Sequence, residues 1–316
     1  MPRFRISLCD CKGCCYRFAD WIENSNALVY LDFFMRHVLG KILVCFVYGL
    51  LSFFTFIIVT IILPFETLHK PQWMIYVLCF VAFYYIFNIM YYYRKACATP
   101  PGSPKKRHGE PYCYRCQNYK PPNAHHCSIC QICVVNMDHH CVWINQCVGA
   151  ENHRYFLQFV GYLSTGCLIF VMVSWTTFYY NYWALSSSLS FCGLPELSNL
   201  PWRDNFCQNG MEFVSTSIFF SYVLSIVVFM LVGSLFWWNV ALISSGQTYL
   251  DFLRQGNDRT CLQLVFCPWG SPNFRSNWSH FLGLRNGRTF WRHILLPSTH
   301  RAYVGELDEK PELRVV

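Results

Sequence analysis

The sequence predicts an all-α membrane protein with four transmembrane helices and a cysteine-rich cytosolic domain between helices 2 and 3. Three observations predict this fold class. Only 13% of the 316 residues are charged, whereas soluble domains usually carry about 25%. Four apolar runs are each long enough to cross a bilayer, which takes roughly 20 residues. Cysteines are concentrated between the second and third runs.

The four apolar runs contain no Lys, Arg, Asp or Glu, and we interpret each as a membrane span rather than a buried core helix. They are Ile42–Leu63, Trp73–Tyr93, Phe156–Tyr180 and Ser217–Ile243. The chain then divides into a cytosolic tail (1–41), a transmembrane hairpin (42–93), a cysteine-rich domain (94–154), two further spans joined by a lumenal loop (155–243), and a second cytosolic tail (244–316).

The distribution of basic residues predicts the orientation of these spans. Six Lys and Arg precede the first span, eight lie between the second and third, and nine follow the fourth. The other two connections carry one each, Lys70 and Arg203. Because basic residues accumulate on the cytosolic side, both termini and the central loop are predicted to be cytosolic. The net charge of +8 is thus explained by a membrane surface and an anionic cofactor, and we expect no nucleic-acid partner.

The central loop repeats itself every 14 residues. A Cys-x2-Cys pair, a His and a further Cys occur twice at the same spacing, and the triplet His125-His126-Cys127 recurs as His139-His140-Cys141. Three Cys and one His are the ligands of a closed, tetrahedral structural zinc site. We therefore predict two zinc ions, although other divisions of these ligands are possible. The first set is Cys113, Cys116, His126 and Cys133; the second is Cys127, Cys130, His140 and Cys147.

Cys141 has no zinc to bind in this arrangement. The position that would complete a third Cys-x2-Cys pair is Ile144, and Asp138 and His139 are also outside both ligand sets. A thiolate is the reactive form of cysteine. A neighbouring His can take the thiol proton and an Asp can orient the His, so these three residues suit nucleophilic catalysis. An alternative is that Asp138 and His139 support the zinc ligands.

The run Asp138-His139-His140-Cys141 inside this cysteine frame resembles the DHHC protein S-acyltransferases (palmitoyltransferases). The resemblance extends to the four spans and to the residues that follow Cys147, including Gly149, Asn152 and Phe156. It implies a protein-cysteine S-palmitoyltransferase with catalytic Cys141, His139 and Asp138. Acyl-CoA, such as palmitoyl-CoA, would be the acyl donor, and substrate proteins with membrane-proximal cysteines would be the acceptors. The acyl chain would lie in a cavity between the spans, for which we consider spans one and three.

The sequence departs from the family pattern in several places. Val142 follows Cys141 where the family usually has Pro, and Pro100-Pro101-Gly102 replaces Asp-Pro-Gly. The usual Thr-Thr-x-Glu motif is Thr248-Tyr249-Leu250-Asp251, so we expect Thr248 and Asp251 to bond to the active-site domain. The tail run 295–300 resembles an endoplasmic-reticulum-associated subgroup, which implies a multi-pass protein of the endoplasmic reticulum or Golgi.

A cationic surface near Cys141 is expected to bind the phosphates of CoA. The candidates are Lys120, His125 and Arg115, for which binding to anionic lipid is the alternative. Two cysteine groups are left open. Cys192 and Cys207 form a disulfide or stay free thiols, and the cysteines between Cys9 and Cys15 are acylated, metal-bound or ordinary thiols.

Two other function classes compete with the enzyme. The first is a catalytically weak, zinc-stabilised membrane scaffold of the same family, which Val142 and Tyr249 motivate. The second is a transporter, which the uncharged spans argue against because transport sites usually hold ionisable residues inside the membrane. A zinc protease is excluded by the missing His-Glu-x-x-His motif and the closed ligand sets.

Overall fold

The computed structural model describes Phe34 and residues 38–300, with gaps at 106–107, 110, 185–186, 209–210, 256–262, 264 and 285–286. The N-terminal cysteine cluster lies outside the described residues. The helices are α1 (Leu39–His69), α2 (Gln72–Ala98), α3 (His153–Val173), α4 (Trp175–Phe178), α5 (Arg203–Gln208), α6 (Met211–Ser245), α7 (Tyr249–Gln255) and α8 (Phe274–Leu282). Four of these, α1, α2, α3 and α6, have the length and composition of membrane spans, which confirms the predicted fold class.

Six short strands lie between α2 and α3. They are β1 (Tyr112–Cys113), β2 (Asn118–Tyr119), β3 (Ala124–Cys127), β4 (Ile132–Val135), β5 (His139–Cys141) and β6 (Gln146–Val148). Consecutive strands pair antiparallel, so they form three separate hairpins, β1–β2, β3–β4 and β5–β6. Strands this short need a further source of stability, which the metal-ligand residues can supply.

Small residues let the spans approach one another. α3 packs against both α2 and α6. At Gly161 a Cβ atom would lie 2.9 Å from the ring of Phe236 on α6. At Gly166 it would lie 3.3 Å from the ring of Tyr85 on α2. Helix association in lipid depends on such close packing because lipid offers little hydrophobic driving force.

All four spans differ from their predicted limits. α1, α2 and α6 are longer at both ends, since apolarity marks only the part of a helix that contacts lipid. α3 begins earlier, at His153, and ends at Val173 rather than continuing to Tyr180. The hydroxyl of Ser174 donates to the carbonyl of Phe170 at 2.7 Å. Such bonds compete with helix continuation, and the chain resumes as the short α4.

The longer first span contains a buried charge. Glu66 is fully buried near the end of α1 and forms an ion pair with Lys70. It also accepts hydrogen bonds from the backbone N–H and the hydroxyl of Thr177, at 3.1 and 2.6 Å. The carboxylate therefore ties the α1–α2 connection to α4. The predicted span ended at Leu63 and contained no charged residue, whereas the observed helix extends to include Glu66. Because both carboxylate oxygens have partners, we assign Glu66 a structural role.

Pro64 accounts for an irregular turn in α1. Proline has no N–H, so it cannot donate to the carbonyl of Thr60 four residues earlier. The helix widens into a π-helical turn over Ile58–Ile62. The indole N–H of Trp202 donates to the free Thr60 carbonyl at 3.0 Å. An unpaired backbone carbonyl is costly in a membrane, so this bond anchors the α4–α6 loop on the span.

The same loop contains a disulfide between Cys192 and Cys207, which settles the two alternatives left open by the sequence. Around it, Phe191 and Leu197 pack with Phe65 of α1 and Ile218 of α6 in one buried cluster. The loop thus closes the end of the bundle opposite the cysteine-rich hairpins.

Candidate active site and metal centres

The three hairpins are structural copies of one another. In each, a cysteine pairs with the residue five positions later: Cys113 with Asn118, Cys127 with Ile132, and Cys141 with Gln146. The 14-residue sequence period is therefore also the period of the backbone. Cys141 occupies in the third hairpin the place that Cys113 and Cys127 occupy in the first two.

The turns of the hairpins repeat as well. Gln117, Gln131 and Asn145, each 14 residues apart, have positive φ angles of 49°, 57° and 55°. Few residues other than Gly and Asn adopt this conformation without cost, so something must hold it. In the first two hairpins the preceding residue is a metal-ligand cysteine, Cys116 or Cys130. In the third hairpin it is Ile144, which is buried in an apolar cluster instead.

The two predicted ligand sets come together in space. One group is Cys113, Cys116, His126 and Cys133, and the other is Cys127, Cys130, His140 and Cys147; the ligand atoms of each group lie within 4.8 Å of one another. Each set combines one hairpin with residues of the next, so the two centres brace successive hairpins. This is the division of ligands that the repeat predicted.

The spacing of the ligand atoms fits a tetrahedral zinc ion. In the second set, Nδ1 of His140 lies 3.7, 3.3 and 3.6 Å from the sulfurs of Cys127, Cys130 and Cys147. Around zinc with Zn–S of about 2.3 Å and Zn–N of about 2.0 Å, tetrahedral geometry requires about 3.5 Å between N and S. The same spacing holds in the first set, where Nδ1 of His126 lies 3.8 and 3.2 Å from the sulfurs of Cys113 and Cys116.

Cys141 lies in an apolar environment. It is buried together with Ile144, Tyr93, Phe156 and Phe159, so residues of α2 and α3 surround the third hairpin. The third hairpin therefore presents this thiol to the spans, whereas the other cysteines of the three hairpins belong to the two ligand sets. A reactive group placed here can meet an acyl chain that lies among the spans.

Asp138 and His139 adjoin the thiol. Side chains two apart on a strand point to the same face, so His139 and Cys141 share one side of β5 while His140 faces the metal centre. Nδ1 of His139 donates to Oδ2 of the buried Asp138 at 2.8 Å. Burial of the imidazole lowers its pKa, but the hydrogen bonds to Asp138 and Cys141 outweigh burial and raise the pKa of His139 to about 9. The raised pKa favours the imidazolium form of His139.

The tail completes the environment of Asp138 in a way the sequence did not predict. The second oxygen, Oδ1, accepts the backbone N–H of Tyr249 at 2.8 Å. Thr248 and Asp251, the candidates for hydrogen bonds to the active-site domain, instead bond to each other. The Thr248 hydroxyl and backbone N–H donate to Asp251 at 2.7 and 3.1 Å, forming a cap at the start of α7 that points the Tyr249 N–H at Asp138.

His153 and Asn239 are further members of the site that sequence reasoning missed. Burial alone would raise the pKa of Asp138, but the nearby His153, the hydrogen bond from His139 and the Tyr249 N–H lower it. Nε2 of His153 donates to Oδ1 of Asn239 at 3.0 Å. In the sequence, the only sign of this contact is Asn239 itself, a single Asn in the last apolar run.

Of the three candidate CoA-binding residues, Lys120 lies close enough to His125 to affect its charge. Burial lowers the pKa of His125, and the positive charges of Arg254 and Lys120 lower it further, while the carboxylate of Asp251 opposes the shift. Two cations and one carboxylate therefore lie near His125. Arg115 is exposed at the turn between β1 and β2. Arg254 belongs to α7 of the tail, and no sequence signal connected it with the central domain.

Two apolar grooves lie between α1 and α2 rather than along spans one and three. One has a volume of about 460 Å³ and is lined by Tyr48, Phe87, Met90, Tyr91 and Arg94. The other, of about 410 Å³, shares Met90 and is lined on α1 by residues from Leu51 to Thr60. The grooves begin at Tyr48, whose ring contacts that of Tyr93 at 5.2 Å in the cluster around Cys141.

The domain is attached to the spans by polar contacts near Cys141. The Tyr93 hydroxyl donates to the carbonyl of Trp143 at 2.8 Å, and the Gln146 amide donates to the carbonyl of Thr99 at 3.0 Å. Gly149 lies so close to its surroundings that a Cβ atom would be 2.7 Å from the Pro101 carbonyl. The Pro-Pro-Gly element therefore packs directly against the hairpins, and the thiol is held rigidly at the helix ends.

Fold and site together define a class: a protein with four candidate membrane spans that presents Cys141, His139 and Asp138 in the third of three hairpins, which together contain two candidate metal sites. The family model for DHHC palmitoyltransferase matches residues 106–256. Palmitoyltransferase ZDHHC16A of Danio rerio is 29% identical over 84% of this chain and 76% of its own length. Palmitoyltransferase ZDHHC16 of Homo sapiens is 31% identical over 74% of this chain and 66% of its own length. Probable protein S-acyltransferase 12 of Arabidopsis thaliana is 55% identical over 62 residues.

The chain belongs to the DHHC palmitoyltransferase family. It spans between about two thirds and three quarters of the length of the human and zebrafish relatives.

Proposed function

We propose that the protein is a protein S-acyltransferase that moves a long-chain acyl group from acyl-CoA, through Cys141, to cysteines of substrate proteins. The observation that carries this proposal is the placement of Cys141. It is the one cysteine of the described hairpins outside both metal-ligand sets, and it adjoins the His139–Asp138 pair.

In the first step the Cys141 thiolate attacks the thioester carbonyl of acyl-CoA. A bond forms between the Cys141 sulfur and the carbonyl carbon, and the bond from that carbon to the CoA sulfur breaks. The imidazolium of His139 donates its proton to the departing CoA thiolate, which leaves as CoA-SH. Asp138 holds Nδ1 of His139, so Nε2 is the nitrogen that exchanges protons with sulfur.

In the second step His139, now neutral, takes the proton of a substrate cysteine. The substrate thiolate attacks the acyl-Cys141 carbonyl, and Cys141 leaves as a thiolate that the imidazolium again stabilises. The reaction is a thioester exchange with no net oxidation. The buried Asp138, with its lowered pKa, keeps one tautomer of His139 through both steps.

The two zinc ions would have a structural role. Each would be held by three Cys and one His, which leaves no open position for substrate. When bound, zinc supplies the cross-links that hold the hairpins in register, and the chemistry remains with Cys141, His139 and Asp138.

The acyl chain is proposed to lie in the grooves between α1 and α2. From Tyr48 to Thr60 the groove wall extends about 18 Å along α1. Each buried CH₂ contributes about 0.8 kcal/mol, so long chains are favoured over short ones. The region around Lys120, His125 and Arg254 is proposed to bind CoA phosphates, and Arg115 is a further candidate.

We also propose the orientation and location that the charge pattern predicts. Both termini and the cysteine-rich domain, with boundaries at 94–154, would face the cytosol, where acyl-CoA and reduced thiols are found. The disulfide would then lie in the oxidising lumen. The endoplasmic reticulum is the proposed compartment, with the Golgi as the alternative.

The test is self-acylation of the purified protein with alkyne-tagged palmitoyl-CoA, comparing wild type with Cys141→Ser. We expect label on wild type alone, and hydroxylamine should remove it because it cleaves thioesters. Equal labelling of the variant would place the acyl group on another cysteine. Absence of label on both proteins, with two zinc ions still bound, would favour the scaffold function.

A further inference from the structure

The tail that follows α8 contains a loop whose backbone bonds are unusual. We name residues 289–297 the tail loop. It includes a π-helical turn, Trp291–Leu295. Three consecutive carbonyls of this loop, those of Ile294, Leu295 and Leu296, accept hydrogen bonds from side chains of α2 and α3.

The donors to the Leu295 carbonyl lie inside the apolar runs, whereas Tyr92 and Gln158, which donate to the carbonyls on either side, lie at the ends of these runs. The carbonyl of Leu295 accepts from Tyr84 at 2.7 Å and from Tyr162 at 3.2 Å. Tyr84 lies nine residues inside the apolar run that ends at Tyr93, which is about 13 Å along the helix. Tyr162 lies six residues beyond Phe156, or about 9 Å. The tail loop therefore descends along α2 and α3 to the depth of the bilayer hydrocarbon, which is about 30 Å thick.

Both ends of the descent are fixed at the level where α3 begins. Nε2 of His300 donates to the carbonyl of Leu282 at 2.9 Å, which closes the base of the excursion. The fully buried guanidinium of Arg154 donates to the carbonyls of Ser298 and His300. The chain between Leu282 and His300 thus enters and leaves at one level, as a re-entrant segment does.

The outer surface of the tail loop is apolar. Phe290, Trp291 and Leu296 are 45%, 76% and 53% exposed, while Ile294 faces the spans and is buried. Arg292 is exposed on the same turn, and its long side chain can reach phosphate headgroups while its stem stays in an apolar layer. Non-helical backbone is tolerated in lipid only where its polar groups are bonded by protein. The tyrosine and glutamine donors meet this requirement.

A second part of the tail contacts α6 near the end of its span. The indole of Trp237, six residues inside the apolar run ending at Ile243, donates to the carbonyl of Val265 at 2.7 Å. Beside it, Phe266 and Trp269 are 87% and 66% exposed. Exposed aromatic residues at this level are typical of the boundary between lipid and water.

We infer that the tail loop is inserted into the bilayer, with Phe290, Trp291 and Leu296 in contact with lipid acyl chains of the leaflet next to the cysteine-rich domain. The tail loop is then a membrane-bound element.

The test is photo-crosslinking of the full-length chain in nanodiscs that contain alkyne-tagged phosphatidylcholine. The photoreactive residue p-benzoylphenylalanine replaces Trp291 in one variant and Leu296 in another. Phe80, 72% exposed in the middle of α2, is the control for lipid contact, and Tyr114, 84% exposed in the first hairpin, is the control for water. We expect lipid labelling at 291 and 296 at the level of position 80.

Labelling at both tail positions no higher than at position 114 would overturn the inference. So would a crosslink to a second copy of the chain in place of lipid. A further pair of variants tests the bonds that hold the loop. Both are made in the variant that carries the photoreactive residue at position 291. The double substitution Tyr84→Phe and Tyr162→Phe removes two donors to the loop and should lower the lipid label. The control Tyr85→Phe changes a neighbouring tyrosine that does not bond to the loop and should leave the label unchanged.

Discussion

At the residue scale, the site depends on one carboxylate that is bonded on both oxygens. Asp138 is buried and accepts from the His139 ring on one oxygen and from the Tyr249 N–H on the other. Buried charges are stable only when they are paired and hydrogen-bonded. The same bonds that satisfy the charge also fix the ring of His139 towards Cys141, so stability and catalysis depend on the same contacts.

Asp138→Asn should slow self-acylation by about 100-fold or more, because a neutral amide neither fixes the tautomer of His139 nor stabilises its charged form. The measurement is the initial rate of labelling with tagged palmitoyl-CoA, alongside zinc content, which should stay at two per chain. The matched control is Asp204→Asn, whose carboxylate is 68% exposed. Wild-type rates for Asp138→Asn would remove the carboxylate from the proposed chemistry.

Tyr249→Pro should isolate the backbone bond to Asp138. Tyr249 is the first residue of α7, where proline fits a helix but supplies no N–H. A hydrogen bond to a charged group contributes about 1.5–3 kcal/mol, so the rate of self-acylation should fall by about 10-fold or more. Tyr249→Ala keeps the N–H and should retain nearly the wild-type rate. Equal loss in both variants would assign the effect to the aromatic ring.

At the element scale, the three hairpins share one backbone pattern, but different contacts stabilise their turns. The turns of the first two contain candidate metal ligands, Cys116 and Cys130, whereas the turn of the third contains the buried Ile144 and is bonded to the end of α2 through Gln146. Because Ile144 stands where the other two hairpins have a second cysteine, the Cys141 thiol is not part of a candidate metal site. The repeat therefore explains why the reactive cysteine sits in a frame otherwise composed of metal ligands.

Removal of one ligand should affect one metal centre and the fold around it. Cys133→Ala removes a ligand of the first set, and we expect zinc content to fall from about two to about one per chain, with loss of self-acylation because the hairpins lose their cross-link. Metal content by mass spectrometry and the thermal midpoint in detergent provide the measurement. Cys97→Ala, a cysteine outside both sets, should keep both zinc ions. Retention of two zinc ions by Cys133→Ala would contradict the assigned ligand set.

At the scale of the whole molecule, the tail connects elements that are far apart in sequence. α7 bonds to Asp138, the side chain of Asn277 in α8 donates to the carbonyl of Ser244 at the end of α6 at 2.9 Å, and the tail loop bonds to α2 and α3. The elements α7, α8 and the tail loop are thus part of the structure around Asp138 and the ends of the spans.

Truncation should reveal how much the tail contributes. Ending the chain after Gly287 removes the carbonyls that accept from Arg154 and leaves a buried charge unpaired, which costs about 3 kcal/mol or more. We expect a lower thermal midpoint in detergent and a large loss of self-acylation. Ending the chain after Arg301 keeps these bonds and should leave both properties close to wild type. An unchanged midpoint after the first truncation would show that Arg154 finds other partners.

The sequence by itself determined what depends on local spacing and composition. The four apolar runs, the two ligand sets and the identity of Cys141 as the cysteine left over follow from length and from a 14-residue repeat, both of which are properties of neighbouring residues. The Asp138–His139 pair was predicted in the same way, and its contact with Cys141 follows from the alternation of side chains along β5.

Only the tertiary structure decided what depends on contacts between distant segments. The N–H of Tyr249 reaches Asp138 across 111 residues, and Tyr84 reaches the tail loop across 211. These bonds use backbone groups, which every residue possesses and which leave no pattern in a sequence. The grooves between α1 and α2 and the path of the tail loop were likewise set by packing, because the shape of one element is fixed by the side chains of another.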